Sequence, residues 1–134
     1  MENNEPIQVT LSKCDLTGKL PTMRSWFVCE LIDSSDIVLH GGSAINRIFG
    51  EINYLSSNKK YWQNIQDISR EDIFMMFDKS LSGHSSTVIQ KNNRKQMIIF
   101  GGFDGLFYNN SIYAINLGNI EDNELNYINL TNIY

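Results

Sequence analysis

The sequence is poor in cysteine and proline and contains no long apolar run. Its 134 residues include two cysteines, Cys14 and Cys29, and two prolines. A membrane-spanning helix needs about 20 consecutive apolar residues, and none of the apolar runs is that long. The first eight residues are acidic and polar, unlike a secretory signal peptide, and two cysteines fit a reducing compartment. These features predict a cytoplasmic protein without a membrane partner.

Positive charge is also scarce. The chain has 11 Lys and Arg residues against 15 Asp and Glu residues, which gives a net charge of −4. Domains that bind nucleic acid usually carry a basic patch. The strongest basic cluster, KNNRK at residues 91–95, lies between two apolar runs and is interpreted as the tip of a hairpin. A nucleic-acid partner is therefore not expected.

Motifs for catalysis or metal binding are missing as well. The sequence has no P-loop, no dinucleotide-binding fingerprint and no nucleophile elbow. The cysteines and the two histidines, His40 and His84, lack the paired spacing that zinc sites favour. Both histidines are interpreted as structural, and Cys29, inside an apolar strand pattern, as a small buried side chain. The sequence therefore predicts no catalytic residue, no metal and no cofactor.

An internal repeat is the main positive feature of the sequence. Two apolar runs of β-type residues each end in a glycine pair, and another apolar run begins ten residues after the first glycine of each pair. Short apolar runs bounded by Gly, Asn, Asp and Ser predict strands joined by tight turns. Each copy is therefore predicted to contain four strands: 26–32, 37–40, 51–55 and 61–65 in the first copy, and 84–90, 97–100, 111–115 and 125–130 in the second.

The repeat resembles the kelch repeat of β-propeller proteins. The resemblance rests on the two glycine pairs, on Trp62 near the start of a fourth strand, and on the linker sequences TGKLPTMRSW and LSGHSS that precede the two copies. It implies an all-β fold of kelch-like blades, each a four-stranded antiparallel meander. It also implies structural roles, as closely packed glycines or as aromatics that fill the space between blades, for Gly41, Gly42, Trp62, Gly101, Gly102, Tyr113 and Tyr127.

The sequence departs from the kelch pattern at three points. Asn53 stands where an aromatic is expected, Tyr127 stands where a tryptophan is expected, and the repeat distance exceeds the roughly 50 residues of a kelch unit. The extra length lies at residues 67–82. There, Ser69 and Asp72 resemble a helix start and an apolar face follows, so we expect an insertion with a short helix.

Two blades do not close a propeller, which takes roughly four to eight. The alternating segment at residues 6–12 is predicted to be a strand of a preceding blade. The whole chain is then one partial propeller of two blades, at residues 24–66 and 83–131, with one extra N-terminal strand. Three explanations stay open: a piece of a larger propeller, a small protein covered by a protein partner, or, less favoured because of the extra strand, a homo-oligomer.

The loops after the two glycine pairs are the best candidates for partner binding. They carry residue types that are frequent at interface hot spots, and the helix expected in the insertion adds an apolar face. The alternatives are that the loop aromatics pack beneath their own loops and that the helix caps the edge of the propeller. The predicted partner-binding residues are Asn46, Arg47, Phe103, Asp104, Phe107, Tyr108, Phe74 and Phe77.

Two functions are compatible with this pattern. The first is a non-catalytic protein–protein interaction module, a kelch-repeat segment or subunit that docks in a larger assembly. The alternative is a remnant or fragment of a kelch-type enzyme or substrate adaptor, for example a ubiquitin-ligase adaptor, whose other blades are missing or come from another chain. The first function predicts an apolar face covered by another protein. The second predicts clustered polar groups with perturbed pKa values.

Overall fold

The computed structural model of the chain describes residues 6–65, 80–91 and 94–117. The all-β prediction is confirmed for these residues, which form strands and no α-helix. The strands are β1 (Thr17–Gly18), β2 (Val28–Leu31), β3 (Ile37–His40), β4 (Ser43–Ala44), β5 (Arg47–Ile48), β6 (Ile52–Ser56), β7 (Tyr61–Asn64), β8 (Ser85–Lys91), β9 (Arg94–Phe100) and β10 (Ile112–Asn116).

Five strands form the first sheet, in the order β1-β7-β6-β3-β2. Strands β2, β3, β6 and β7 are antiparallel neighbours, and a small hairpin of β4 and β5 occupies the loop between β3 and β6. Turns rich in Asp, Ser, Asn and Lys join β2 to β3 and β6 to β7, as their turn chemistry predicts. Strand β1 joins the far edge in parallel with β7, which the sequence pattern does not predict.

Three antiparallel strands form the second sheet, in the order β10-β9-β8. They correspond to the first three strands predicted for the second copy. The fourth predicted strand, at 125–130, and the predicted helix of the insertion lie outside the described residues, as do Phe74, Phe77 and Tyr127.

The two copies share one strand register. His40 pairs with Ile52 between β3 and β6, and sixty residues further on Phe100 pairs with Ile112 between β9 and β10. The other three residue pairs between β3 and β6 also recur between β9 and β10, each sixty residues later. The alignment of the copies on their glycine pairs is therefore correct for the second and third strands.

The first strand of each copy repeats with a smaller offset, of 57 residues. Val28 and Ser85 are equivalent, because each pairs with the last residue of the following strand. The offset is smaller because the hairpin of β8 and β9 is longer than that of β2 and β3. His84 is thus equivalent to Phe27, so the predicted strands 26–32 and 84–90, which would align His84 with Trp26, are out of register by one residue. Trp26 is equivalent to Gly83, and both have a positive φ, of 57° and 64°.

Backbone hydrogen bonds around the glycine pairs repeat in the same way. The Phe49 amide donates to the Gly42 carbonyl over 2.8 Å, and the Asn109 amide donates to the Gly102 carbonyl over 2.7 Å. Gly102 has a φ of +91°, and a Cβ there would lie 2.8 Å from Cβ of His84. Glycine is required at this position because it alone combines the left-handed backbone with so close an approach.

The two sheets pack face to face around one core. Alternate side chains of a strand point to opposite faces, so β3 and β6 direct one set of side chains towards the second sheet. Polar contacts cross the same interface: the Ser86 hydroxyl donates to the Glu30 carboxylate over 2.6 Å, and Lys95 pairs with Asp33. The buried core side chains are Ile32, Val38, Ile52, Tyr54, Ile65, Leu81, Met97, Ile99, Ile115 and Leu117, with Tyr113 packed against them.

Two expectations differ from the structure. Residues 6–12 form no strand, and their apolar side chains, Ile7, Val9 and Leu11, are almost fully exposed. Cys29 is exposed rather than buried, since it pairs with Leu39 on the sheet face that points away from the core. Trp62 pairs with Leu55 on that same outer face, away from the contact between the two copies, so its role as an aromatic between blades stays a prediction.

Candidate functional site

Two loops lie side by side, each directly after a glycine pair. In the first copy the loop is the β4–β5 hairpin, whose turn exposes Ile45 and holds Asn46 at a φ of 59°. Asparagine tolerates this left-handed conformation better than most residues. In the second copy the loop spans residues 103–108. The two loops are neighbours, because a Cβ placed on Gly105 would lie 3.4 Å from Cδ1 of Ile48.

Hydrogen bonds hold the second loop in shape. Oδ1 of Asp104 accepts from the amides of Leu106 and Phe107, over 2.9 and 2.8 Å, which is the local bonding that makes aspartate a turn residue. A β-bridge joins Phe103 to Tyr108, and their ring centroids are 5.3 Å apart. This frame directs the side chains at positions 106–108 outward, where all three are exposed.

The two loops together present an apolar surface, which we call the loop surface: Ile45, Leu106, Phe107 and Tyr108. Each of these side chains is at least 71 % exposed. Large apolar side chains that are exposed together on an ordered frame are typical of protein-binding surfaces. Phe107 and Tyr108 do not pack beneath their own loop, so the structural alternative for these two residues does not hold.

The other residues predicted to bind a partner divide into two groups. Asn46 and Arg47 are exposed in the first loop. Phe103 and Asp104 are partly buried and hold the second loop together, so they position the loop surface instead of forming it. The two aliphatic members of the loop surface, Ile45 and Leu106, are not among the predicted residues, although an aliphatic residue at the tip of a tight turn itself indicates exposure.

An ion pair supports the first loop from below. The buried guanidinium of Arg24 pairs with the Glu51 carboxylate, and its Nη1 donates to the Gly41 carbonyl over 3.1 Å. The guanidinium carbons of Arg24 and Arg47 lie 4.0 and 4.6 Å from the centre of the Phe49 ring. Phe49 is buried, so the alternative that the loop aromatics pack beneath their own loops holds for this residue. These contacts anchor the point where the first loop returns to the sheet.

The contact between Arg47 and the Phe49 ring is expected to contribute little to stability. We expect Arg47→Met to lower the free energy of unfolding by about 0.5–1 kcal/mol, because an exposed cation–π contact is worth about that much and methionine keeps part of the aliphatic packing. Urea unfolding measures the change, with Lys13→Met in the exposed N-terminal segment as the control. A loss above about 2 kcal/mol would instead assign Arg47 a central structural role.

Two buried histidines meet between the copies. Nδ1 of His40 lies 3.0 Å from Nε2 of His84, and the ring planes are inclined by 79°. One ring nitrogen donates and the other accepts, so at least one imidazole must be neutral. Burial lowers the pKa of His84 to about 4, which keeps it neutral at pH 7. Because the contact is closed to solvent, its geometry gives it a packing role rather than access to a substrate.

Neither the described residues nor comparisons with known proteins assign a metal site, a membrane span or a family to this chain. Within residues 6–65, 80–91 and 94–117, no group of three or more His, Cys, Asp or Glu side chains could hold a metal ion. Over the same ranges, no helix has the length and apolar character needed to cross a membrane. No protein-family model matches the chain, and no curated protein is significantly similar to it. The candidate site therefore rests on its geometry alone.

Proposed function

We propose that this chain is a non-catalytic protein–protein interaction module that docks in a larger assembly through the loop surface. The observation that carries the proposal is the exposure of Leu106, Phe107 and Tyr108 on a loop that Asp104 holds in shape. A loop that is already ordered loses little conformational entropy on binding. Aromatic side chains that become buried at the centre of an interface often dominate its affinity. A protein with an apolar recess is the partner that fits this surface.

We further propose that the two copies are kelch-like propeller blades. Four strands of the first sheet run as an antiparallel meander, the topology of a blade. The second strand of the first copy ends at His40, and the next copy approaches the following Gly41 so closely that a Cβ there would lie 2.6 Å from Cε1 of His84. Close approach at a glycine pair, together with a common register in both copies, is what stacked blades require.

Affinity isolation with a loop variant tests the interaction function. The variant combines Leu106→Ser, Phe107→Ser and Tyr108→Ser in the full chain, and quantitative mass spectrometry identifies the proteins retained from cells that make it. We expect proteins enriched by the wild-type chain to fall by about tenfold or more, because the loss of hot-spot residues costs about 2 kcal/mol or more.

A matched control separates this effect from a general loss of apolar surface. It carries Ile7→Ser, Val9→Ser and Leu11→Ser, three exposed apolar residues of the N-terminal segment, and should retain the same proteins as the wild type. Equal retention by the loop variant and the control would overturn the proposed function. The same conclusion would follow if the wild-type chain enriched no protein above an unrelated bait.

A further inference from the structure

The contact between the copies covers one sheet face and leaves much of the equivalent face of the second copy exposed, although Ala114 on that face is buried. His40 and Ile52, which face the second copy, have 0 % of their surface exposed. Their equivalents Phe100 and Ile112 are 51 % and 40 % exposed. Ile32 is likewise buried, whereas its equivalent in the second copy, Ile89, is 40 % exposed. We call the exposed set the open face: Ile89, Phe100 and Ile112.

The glycine pair beside the open face has room for another unit. A Cβ on Gly41 would collide with the second copy, 2.6 Å from Cε1 of His84. A Cβ on the equivalent Gly101 would lie 3.4 Å from the Asn109 carbonyl oxygen. Apart from the residues adjoining Gly101, no other described atom would lie within 4 Å of it. Among the described residues, none fills beside the second copy the space that the second copy fills beside the first.

The part of the complementary half that lies along β2 is exposed at the other end of the chain, while Leu39 and Leu55 on the same face are buried. Within the chain, β8 and the preceding His84 dock on the first copy: His84 contacts His40, and Val88 packs against the core. The equivalent residues of the first copy are Phe27 and Leu31, and both are exposed. Trp26 beside them is exposed too and has a left-handed backbone, a strained state for a bulky residue that often marks functional positions.

We propose that a second copy of this chain docks on the open face through its strand β2, in the way that β8 docks on the first copy. Phe27 of the second chain then lies against Phe100, because these residues are equivalent to His84 and His40. Two phenylalanines at this place form an edge-to-face aromatic contact. The buried imidazole pair within the chain thus has an apolar counterpart between chains.

A second copy fits better than an unrelated protein because one chain carries both halves of the contact. Such an interface is heterologous, so it propagates until a ring closes. A ring of roughly four to eight units would take two to four chains of two units each. The expectation against a homo-oligomer depended on an extra strand at residues 6–12, and no strand forms there. The open face is separate from the loop surface, so this proposal and the proposed function can fail independently.

Sedimentation velocity of two variants and of their mixture tests this docking mode. Phe100→Lys disrupts the open face and Phe27→Lys disrupts the docking strand, so each variant alone should sediment as a 15.4 kDa monomer. In the mixture, the Phe27→Lys chain keeps an intact open face and the Phe100→Lys chain keeps an intact docking strand, so the two variants should form a dimer together. The wild-type chain should form dimers or larger species. Ile7→Lys, at an exposed residue outside both halves, should assemble like the wild type.

Thiol labelling of the unmodified chain gives a second readout. Cys29 lies on β2, on the face that docks, while Cys14 lies in the N-terminal segment, and both thiols are exposed. Raising the protein concentration should slow the labelling of Cys29 about twofold in an open dimer, which covers one of its two copies, and further in a closed ring. Labelling of Cys14 should not change.

Three results would overturn the proposal. The first is a wild-type chain that stays monomeric up to about 1 mM. The second is a failure of the two lysine variants to associate when mixed while the wild type does assemble, because a heterologous contact requires that rescue. The third is assembly without protection of Cys29, which would mean that the chains meet through another face.

Discussion

Gly41→Ala is expected to destabilise the fold by about 2–5 kcal/mol, and Gly101→Ala by only about 1–2 kcal/mol. The two glycines are equivalent and have similar φ values, +69° and +73°, so both variants share the cost of a left-handed alanine. They differ in their surroundings. A Cβ on Gly41 would meet the Leu81 carbonyl and the His84 ring, whereas one on Gly101 would lie 3.4 Å from the Asn109 carbonyl oxygen. The difference between the variants therefore measures the packing between the copies.

Urea unfolding at low protein concentration, where the chain is monomeric, gives this comparison, provided that the three proteins have the same m value. A double variant refines it: adding His84→Ala to Gly41→Ala should recover part of the extra loss, since one of the two close contacts disappears. Equal losses for the two glycine variants would contradict the close approach of the second copy to Gly41.

The stability of the fold is expected to fall steeply in mild acid. Burial lowers the pKa of His84 from 6.5 to about 4, so between these values the unfolded chain binds a proton that the folded chain does not. Stability therefore rises with pH across this window and is fully present above pH 6.5. We expect a loss of about 2 kcal/mol by pH 5 and roughly 3 kcal/mol by pH 4.

Denaturant unfolding at several pH values measures this loss, and His84→Gln is the matched variant because glutamine keeps polar groups but does not titrate. The variant should show a clearly shallower dependence between pH 6.5 and 5, whatever its stability at pH 7. A wild-type free energy of unfolding that stays constant over this range would contradict the burial of a neutral His84. A variant with the wild-type slope would assign the dependence to other groups.

Asp36 contributes a separate loss at lower pH. Burial alone would raise the pKa of its carboxyl group, but hydrogen bonds from the Tyr54 hydroxyl and from Ser57 lower it. A carboxylate with a lowered pKa stabilises the fold above its unfolded pKa and loses that effect as the pH falls further. Measurements above pH 5 therefore isolate the histidine contribution from this one.

Features of this protein that depend on local chemistry could be predicted from the sequence. The strands at 37–40 and 97–100 follow from apolar β-type runs that end at glycine pairs, and the turns follow from their Asn, Asp, Ser and Gly content. The offset of sixty residues between the copies is visible in the order of residues alone. The position of the candidate site also follows, because loops after strands carry exposed residues most often.

What the tertiary structure decided is which surfaces meet. Alternation at residues 6–12 indicates a strand, but a strand forms only where another backbone can pair with it. Cys29 reads as an interior residue, yet the register of β2 turns it to the outer face. His40 and Phe100 occupy equivalent places in the sequence. One is buried and the other exposed because a second copy packs against only the first of them, and no local pattern records that contact.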